Sequence, residues 1–315
     1  MVFMSIEEIV RERTVRALTH GSDVDGVVCA ALILKRFPDA SIDLGSPSAD
    51  LSGEYEIVAD LPLQKGLRTK IWVDHHANAK VEGICEQMIY DPSSKSAASL
   101  LAKFLDVRAP ELVEIADRAD SAGYLTEPPF DLAGEYDIAW DVNDAVKAIF
   151  YKGRFIELAK FLAFGNLHEL KRKFMIEILY SRNSRKRTFD AVRDLPLEVK
   201  LRGADAAIII MQDDRILRPG TVAHALLSGG VKVCVIIFSD GRGWINVGRD
   251  FDGVSAVGIA ERYGGGGHAK SAGAKVGLEN LEKLKKELEE LGLRTVFVDL
   301  KEFVGRGGRK SSAQV

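Results

Sequence analysis

The 315-residue sequence lacks any apolar run near the roughly 20 residues that a membrane-spanning helix needs. Its first residues also lack the basic and apolar regions of a signal peptide. Only three cysteines are present (Cys29, Cys85 and Cys234), with no paired spacing and no CxxC motif. These absences argue against a membrane protein and a disulfide-stabilised secreted protein, and they predict a cytoplasmic setting with buried, structural thiols at Cys29 and Cys234.

A strong charge of one sign is absent as well. The 43 Lys and Arg residues nearly balance the 46 Asp and Glu residues, and the net charge is −3. A site for nucleic acid would therefore have to be local rather than a property of the whole surface. The length predicts about two domains, each large enough to bury its own core.

The most informative stretch is residues 71–76, where the apolar Ile-Trp-Val leads into Asp74, His75 and His76. Three apolar residues are typical of a buried parallel strand, and the carboxyl end of such a strand is where an open α/β sheet binds ligands. Aspartate and histidine form a ligand set that suits Mn²⁺, Zn²⁺ or Mg²⁺. The alternative is a buried acid that only orients a histidine.

A second polar turn follows the strand predicted at 13–19. It carries His20, Asp23 and Asp25 and leads into an apolar helix that ends before Pro38. Strand, turn and helix form the first βα unit of a parallel sheet. Helix capping and turn formation could explain one or both aspartates, but not His20. We therefore interpret the three side chains as metal ligands.

Two more aspartates follow the same pattern. Asp60 ends a strand predicted at 55–59, and Asp120 lies beside small residues at the end of a helix that begins at Pro110. Asp117, on the same helix, is the competing candidate for the last carboxylate. Three strands that all end in Asp or His would each need a separate cap or turn explanation, so the pattern favours one shared site.

The second half contains two further features. Residues 169–188 carry seven basic and two acidic side chains, which is typical either of a solvated helix between domains or of a phosphate-tracking surface. After Pro196 a second α/β pattern begins, with strands predicted at 197–201, 206–211, 232–238, 243–247 and 295–300. Gly264, Gly265, Gly266, Gly267 and His268 lie within it, and their bare amides and imidazole predict an anion-binding loop rather than a linker.

Together these residues resemble the DHH phosphoesterase superfamily over nearly the whole chain. That superfamily includes RecJ-like exonucleases, nanoRNases, 3′-phosphoadenosine-5′-phosphate (pAp) phosphatases and cyclic dinucleotide phosphodiesterases. The matching motifs are His20-x-x-Asp23-x-Asp25, Asp60, Asp74-His75-His76, Asp120 and the GGGGH loop at 264–268. The resemblance implies a DHH domain with a five-stranded parallel sheet at 1–168, a basic helical linker at 169–195, and a smaller mixed α/β DHH-associated domain at 196–304. The Gly-rich and then basic composition of 305–315 predicts a flexible tail.

The same resemblance implies residue roles. His20 and Asp23 would hold one metal ion, Asp25 and His75 a second, and Asp60 and Asp120 both. Asp74 would orient the histidines and His76 would face the substrate phosphate, whereas Arg249 and the glycine loop would hold the substrate. Two ions, Mn²⁺ preferred and Mg²⁺ acceptable, would activate water without a covalent intermediate.

The resulting hypothesis is an exonuclease that releases mononucleotides from single-stranded RNA or DNA oligonucleotides. A small-molecule phosphoesterase, acting on pAp or a cyclic dinucleotide, is the alternative. A catalytically silent binding module is disfavoured because no ligand position is replaced. A family II pyrophosphatase is disfavoured by the glycine loop, although Ser184-Arg185-Lys186-Arg187 resembles its basic motif. No membrane partner is expected, and a homodimer is compatible with the sequence.

Overall fold

The computed structural model describes residues 14–77, 79, 81–120, 137–212 and 217–311, with side chains through 305. The chain divides into two compact units, Met1–Arg182 and Asn183–Val315. Among the described residues, no helix is long and apolar enough to cross a membrane.

The first unit is built on a parallel sheet of five strands in the order β2-β1-β3-β4-β5. The strands are β1 (Arg16–His20), β2 (Ser41–Gly45), β3 (Ser52–Ala59), β4 (Gly66–Asp74) and β5 (Ile84–Tyr90). The predicted five-stranded parallel sheet is thereby confirmed. Strand β2 lies on one side of β1, and β3 to β5 follow on the other side, so the strand order reverses between β1 and β3. Doubly wound folds form their ligand crevice at such a point.

Five helices of the first unit pack largely on one face of this sheet. They are α1 (Val24–Arg36), α2 (Ala97–Phe104), α3 (Pro110–Asp120), α4 (Ile138–Ala148) and α5 (Lys152–Phe164). Helix α1 is the central one, because every residue from Val24 to Leu34 is buried. A smaller cluster around Trp72 covers the other face, where the indole nitrogen donates to the Leu61 carbonyl at 2.8 Å.

A helical segment follows, consisting of a 3-10 turn (Leu167–Glu169), α6 (Leu170–Lys173) and α7 (Met175–Val192). The boundary between the two units falls inside α7. Helix α8 (Leu195–Leu201) comes next, so the strand predicted at 197–201 is wrong. Pro196 lies in the first helical turn, where a missing N–H costs nothing, and the buried Leu195 and Val199 have helical rather than alternating spacing.

The second unit is a mixed sheet in the order β11-β6-β7-β8-β10-β9. Its strands are β6 (Ala206–Met211), β7 (Val233–Phe238), β8 (Arg242–Val247), β9 (Gly266–Gly267), β10 (Ser271–Lys275) and β11 (Thr295–Asp299). Pairing is parallel between β11, β6 and β7 and antiparallel from β7 through β9. The predicted smaller mixed α/β unit is confirmed.

Four further helices belong to the second unit: α9 (Pro219–Ser228), α10 (Ala256–Ala260, continued by a 3-10 turn at Glu261–Tyr263), α11 (Leu281–Glu290) and α12 (Leu300–Ser311). Helix α12 occupies much of the segment for which a flexible tail was expected. Asp299 accepts from the amides of Lys301 and Glu302, and Leu300 is buried, so the chain has both a cap and an apolar anchor with which to begin a helix there.

Candidate metal centre

Three neighbouring strands of the first unit end at one place. His20 is the last residue of β1, Asp60 follows β3 directly, and Asp74 is the last residue of β4. The register aligns them, because Thr19 pairs with Ala59 and Ala59 pairs with Val73. Within the first unit, ligand atoms of three groups lie within 4.8 Å of one another: His20 with Asp23 and Asp60, Asp25 with Asp60 and His75, and Asp60 with Asp74 and His76.

Asp60 is common to all three groups and has an unusual backbone. Its φ of 59° lies in the left-handed region, and its amide is held by the Val73 carbonyl at 2.9 Å. The side chain is 2% exposed, and Oδ2 accepts no hydrogen bond from the described residues. Such a conformation and a buried carboxylate oxygen both cost free energy, which is typical of a position constrained by function.

The first group joins His20, Asp23 and Asp60. Asp23 Oδ2 lies 2.5 Å from His20 Nδ1, and Asp60 Oδ2 lies 3.6 Å from the same nitrogen. Asp23 is also the N-cap of α1, because its Oδ1 accepts from the Gly26 amide at 2.9 Å. The interpretations of Asp23 as a helix cap and as a metal ligand are therefore compatible, because one oxygen caps the helix while the other faces His20.

The second group places His75 against acids. His75 Nδ1 donates to the Ser94 carbonyl at 3.1 Å, which leaves Nε2 directed toward Asp25 Oδ2 at 3.6 Å and Asp120 Oδ2 at 3.2 Å. Asp25 in turn accepts from the Ala97 and Ala98 amides at the start of α2. An orienting hydrogen bond on one ring nitrogen with the other facing carboxylates is the usual arrangement of a metal-binding histidine.

Asp74 organises the two histidines. Its Oδ1 accepts from the backbone amides of His75 and His76 and from His76 Nδ1, the last at 2.7 Å. His76 is more exposed than His75, with 30% of its side chain accessible against 2%. The ring of His76 is therefore fixed at Nδ1 by Asp74 and accessible to a ligand on its exposed part.

The two candidates for the last carboxylate have different surroundings. Asp117 accepts from the Ser96 and Ser99 hydroxyls at 2.5 and 3.0 Å and so ties α3 to the first turn of α2. Asp120 instead faces His75. The supporting roles of Ser94, Ser96 and Ser99 had no signal in the sequence, because a carbonyl or hydroxyl that supports another side chain has no spacing rule of its own.

The carboxylates of this site are close enough to one another to disfavour their joint ionisation in the absence of a cation. Burial, reinforced by neighbouring carboxylates, raises the pKa of Asp25 and of Asp60 well above the usual range and raises that of Asp120 to about 7. Burial opposes ionisation of Asp23 too, but His20 holds the pKa of Asp23 below its usual value. Burial and the charge of His76 lower the pKa of His75, which keeps that imidazole neutral and able to bind a metal.

The residues therefore fit divalent ions. The site contains two buried acids, Asp25 and Asp60, and the half-buried Asp120, and the three resist joint ionisation. Bound cations would stabilise these charges together with the buried oxygen of Asp60, which has no donor among the described residues, and would bind the neutral, oriented His75. Oxygen-rich groups with one or two imidazoles suit Mn²⁺ and Mg²⁺.

In the second unit, the four glycines of the predicted loop fall into two kinds. A Cβ on Gly265 would lie 2.1 Å from the Gly273 carbonyl oxygen, and one on Gly267, whose φ is +138°, would lie 2.7 Å from the Ala272 Cα. Gly264 and Gly266 would meet nothing within 4 Å. The first pair is required by packing, and the second pair leaves open space where a Cβ would lie. The Gly264 amide donates to the Glu261 carbonyl, and the His268 amide donates to the Ser271 carbonyl.

The other predicted binding residue, Arg249, is exposed just beyond β8. Among the basic residues of 169–188, by contrast, Arg182 is fully buried between Asp141 and Asp144, and Arg185 is also buried. Ion pairs engage Arg172 with Glu169, Lys173 with Glu157, and Lys186 with Asp190. Much of the apparent +5 charge is thus neutralised locally.

Known structures share this fold. The pGpG-specific phosphodiesterase PggH of Vibrio cholerae matches 89% of this chain and 99% of its own, with 16% identity and a TM-score of 0.56. Manganese-bound RecJ of Thermus thermophilus matches 93% of this chain at 16% identity and a TM-score of 0.59, but the match covers 55% of RecJ, so the chain spans about half of that protein. An exopolyphosphatase-related protein from Bacteroides fragilis matches 93% of this chain and 93% of its own, at 13% identity and a TM-score of 0.51.

A comparison with curated protein sequences gives no significant match. The DHHA1 domain family model matches residues 220–291, which span α9 through α11 and include the glycine loop. The second unit therefore carries a match to the DHHA1 domain family, and the chain shares the fold of these structures along most of its length.

Proposed function

We propose that the chain is a phosphoesterase of the DHH superfamily, and that it hydrolyses short single-stranded RNA or DNA oligonucleotides to mononucleotides. The observation that carries the proposal is the convergence of His20, Asp60 and Asp74–His76 at three adjacent strand ends, with Asp25 and Asp120 facing His75. Two divalent ions bound there would supply an activated water and neutralise the phosphate charge.

The protein's own residues contribute positioning. Asp74 fixes the ring of His76, and His76, protonated and partly exposed, is suited to binding a phosphoryl oxygen. Asp60, Asp25 and Asp120 would hold the ions, with His20, Asp23 and His75 completing the ligand sets. In the second unit, Arg249, His268 and the glycine loop would bind the nucleotide, because the space where side chains of Gly264 and Gly266 would lie is open.

Two observations favour a short substrate. PggH, whose name specifies pGpG as its substrate, is matched over 99% of its length, whereas the match to RecJ covers 55% of that protein. The ion pairs of the basic residues in 169–188 also leave few basic side chains to bind the phosphates of a long nucleic-acid strand. The second candidate function, hydrolysis of pAp or a cyclic dinucleotide, uses the same metal centre and differs only in what the second unit binds.

A direct comparison of substrates tests the proposal. The protein is incubated with Mn²⁺ and end-labelled RNA and DNA ranging from dinucleotides to long oligonucleotides, and in parallel with pAp and a cyclic dinucleotide. We expect release of mononucleotides, with kcat/KM highest on the shortest oligonucleotides. Turnover of pAp or the cyclic dinucleotide alone would replace the proposal with the second candidate, and no turnover of any substrate would refute both.

A further inference from the structure

Strand β8 presents two different faces. Gly243, Ile245 and Val247 are buried on one side, and the latter two belong to the apolar core under α10 and α11. The opposite face carries Arg242, Trp244 and Asn246. Trp244 is 44% exposed, which is unusual for the largest apolar side chain in the middle of a sheet.

Trp244 adjoins bare backbone on the β10 side, whereas on the other side it pairs with the buried Ile236 of β7. Trp244 pairs with Gly273 of β10, and Gly273 pairs with Gly266 of β9, so a row across three strands has one side chain and two glycines. A Cβ on Gly273 would lie 3.9 Å from Cδ1 of the indole, and one on Gly220 of α9 would lie 4.0 Å from its Cζ3. The ring therefore has a glycine near each end and bare sheet beside it.

A hydrogen-bonding group adjoins the ring on the same face. Asn246, two residues along β8, pairs with Ser271, and its Oδ1 accepts from the Ser271 hydroxyl at 3.2 Å. Its Nδ2 is buried and makes no hydrogen bond with any residue that the structure describes. A buried amide donor without an acceptor is costly unless a ligand supplies one.

Positive charge lies one helical turn away. His224 follows Gly220 by four residues on α9, so the two share a helix face about 6 Å apart. Burial and the positive charges of Arg249 and Arg185 lower the pKa of His224, which places both guanidinium groups close to that imidazole. An aromatic ring, an amide donor and a cationic pair thus occur within one unit.

We propose that Trp244 is a nucleobase-stacking residue: the terminal base of the substrate lies on its exposed face, over the bare backbone of Gly273 and Gly266, and Asn246 Nδ2 donates to the base edge. The inference rests on the proposed function, because it assumes a nucleotide substrate. Stacking on an aromatic ring is tolerant of sequence, since every base has a π-face, so this site would set the need for a base rather than the choice among bases.

Fluorescence provides a test that does not require turnover. The chain has three tryptophans; Trp72 is fully buried and Trp140 is 5% exposed, so a ligand that stacks on an indole will quench mainly Trp244. AMP titrated into the full-length protein should quench its emission, and ribose 5-phosphate, which lacks the base, should not. Calorimetric affinity for AMP should fall in Trp244→Ala and be largely kept in Trp244→Phe. Equal quenching by both ligands, or AMP affinity unchanged in Trp244→Ala, would overturn the inference.

Kinetics give a second, independent readout. Since a stacked base contributes about 1–3 kcal/mol, Trp244→Ala should lower kcat/KM on an oligonucleotide by roughly 5- to 150-fold. The same variant should lose much less on an oligonucleotide whose terminal nucleotide is abasic. Leu278→Ala, which removes another exposed apolar side chain of this unit, is the matched control and should behave as wild type on both. Equal losses on the normal and abasic substrates would refute stacking.

The outcomes separate this inference from the proposed function. AMP quenching without oligonucleotide hydrolysis would keep the base site and reject the function. Hydrolysis that is insensitive to Trp244→Ala would keep the function and reject the base site. Emission that changes with protein concentration and not with AMP would assign the face to self-association and overturn the inference.

Discussion

Asp74 and His76 form one hydrogen-bonded pair at the end of β4, with His76 Nδ1 donating to Asp74 Oδ1 over 2.7 Å. The same oxygen accepts the amides of His75 and His76, so one buried carboxylate fixes both backbone and ring. Burial alone would lower the pKa of His76, but this hydrogen bond and the charges of Asp60 and Asp74 raise it to about 10.

The first prediction follows from this pair. In protein freed of metal by a chelator, NMR titration of the His76 ring should give a pKa of about 10. Asp74→Asn should move the pKa of His76 toward the ordinary value of 6.5. The cause is loss of a negative charge in contact with the imidazolium. A pKa unchanged by Asp74→Asn would show that Asp74 does not hold the proton on His76.

His76→Ala gives the matching functional measurement. It should keep the metal content of wild type while lowering kcat by roughly 10²- to 10³-fold, because one donor to the phosphoryl oxygen is lost. Loss of an ion from the variant, measured by elemental analysis, would mean that His76 is a metal ligand.

The second prediction concerns Asp60. Asp60→Asn keeps a side chain that tolerates the left-handed backbone but removes the charge that the ions would share. We expect a fold at least as stable as wild type in chelator, weaker stabilisation by Mn²⁺, and turnover reduced by at least about 10³-fold. Asp106→Asn is the matched control, since Asp106 also has a positive φ but lies outside the site. Equal effects of the two substitutions would assign the loss to the backbone.

The third prediction separates Asp117 from Asp120. Asp117→Ala should cost about 1–3 kcal/mol of stability, because two serine hydroxyls lose their acceptor, and should leave metal affinity unchanged. Asp120→Ala should weaken Mn²⁺ binding and leave stability in chelator intact or improved. Urea unfolding and metal titration of both variants test this assignment. Loss of metal binding in Asp117→Ala, with metal binding kept in Asp120→Ala, would reverse it.

Asp120 also predicts a pH dependence. Its pKa is raised from 3.8 to about 7 in the folded, metal-free protein, so between these values the folded state keeps a proton that the unfolded state has released. Stability in chelator should therefore fall as pH rises from about 4 to 7. The decline should be shallower in Asp120→Ala, and stabilisation by Mn²⁺ should grow with pH. A pH dependence identical in both proteins would show that Asp120 does not contribute.

The fourth prediction uses the two kinds of glycine. Gly266→Ala places a methyl in open space and should leave the melting temperature unchanged while lowering kcat/KM on oligonucleotides. Gly267→Ala should destabilise the protein by more than about 1 kcal/mol, because its φ is +138° and its Cβ meets Ala272. Bis-p-nitrophenyl phosphate has no nucleotide for the loop to bind, so its kcat/KM should fall less than that of an oligonucleotide in Gly266→Ala. Equal losses on both substrates would remove the glycine loop from nucleotide binding.

The sequence was sufficient to predict the site positions that directly follow or end a buried strand. Strands that end in Asp or His placed His20, Asp60 and Asp74 correctly at the sheet's carboxyl edge. Strands β2 and β5 were not recognised from their own residues, because β2 has one buried residue and β5 has none. The strand predicted at 197–201 failed because five apolar-rich residues fit either period, and Pro196 with Val199 decided for a helix.

The sequence could not predict roles that depend on contacts with residues far away along the chain. Arg182 is indistinguishable in sequence from the exposed Arg187, yet it is buried against Asp141 and Asp144, which lie 41 and 38 residues earlier. The choice between Asp117 and Asp120 likewise required the positions of Ser96 and His75. The alternation of β8 places Trp244 on the face of Arg242 and Asn246. The two glycines beside it come from distant strands, so the open space next to the ring could not be predicted.

The most direct test of the account is a parallel measurement of bound metal and turnover. Protein dialysed against chelator and then titrated with Mn²⁺ should bind two ions per chain, and hydrolysis of a labelled dinucleotide should be absent before titration and rise as the second ion binds. Asp60→Asn should lose both responses. Full hydrolysis in chelator, or hydrolysis in Mn²⁺ by a protein that binds none, would contradict the metal centre and the function built on it.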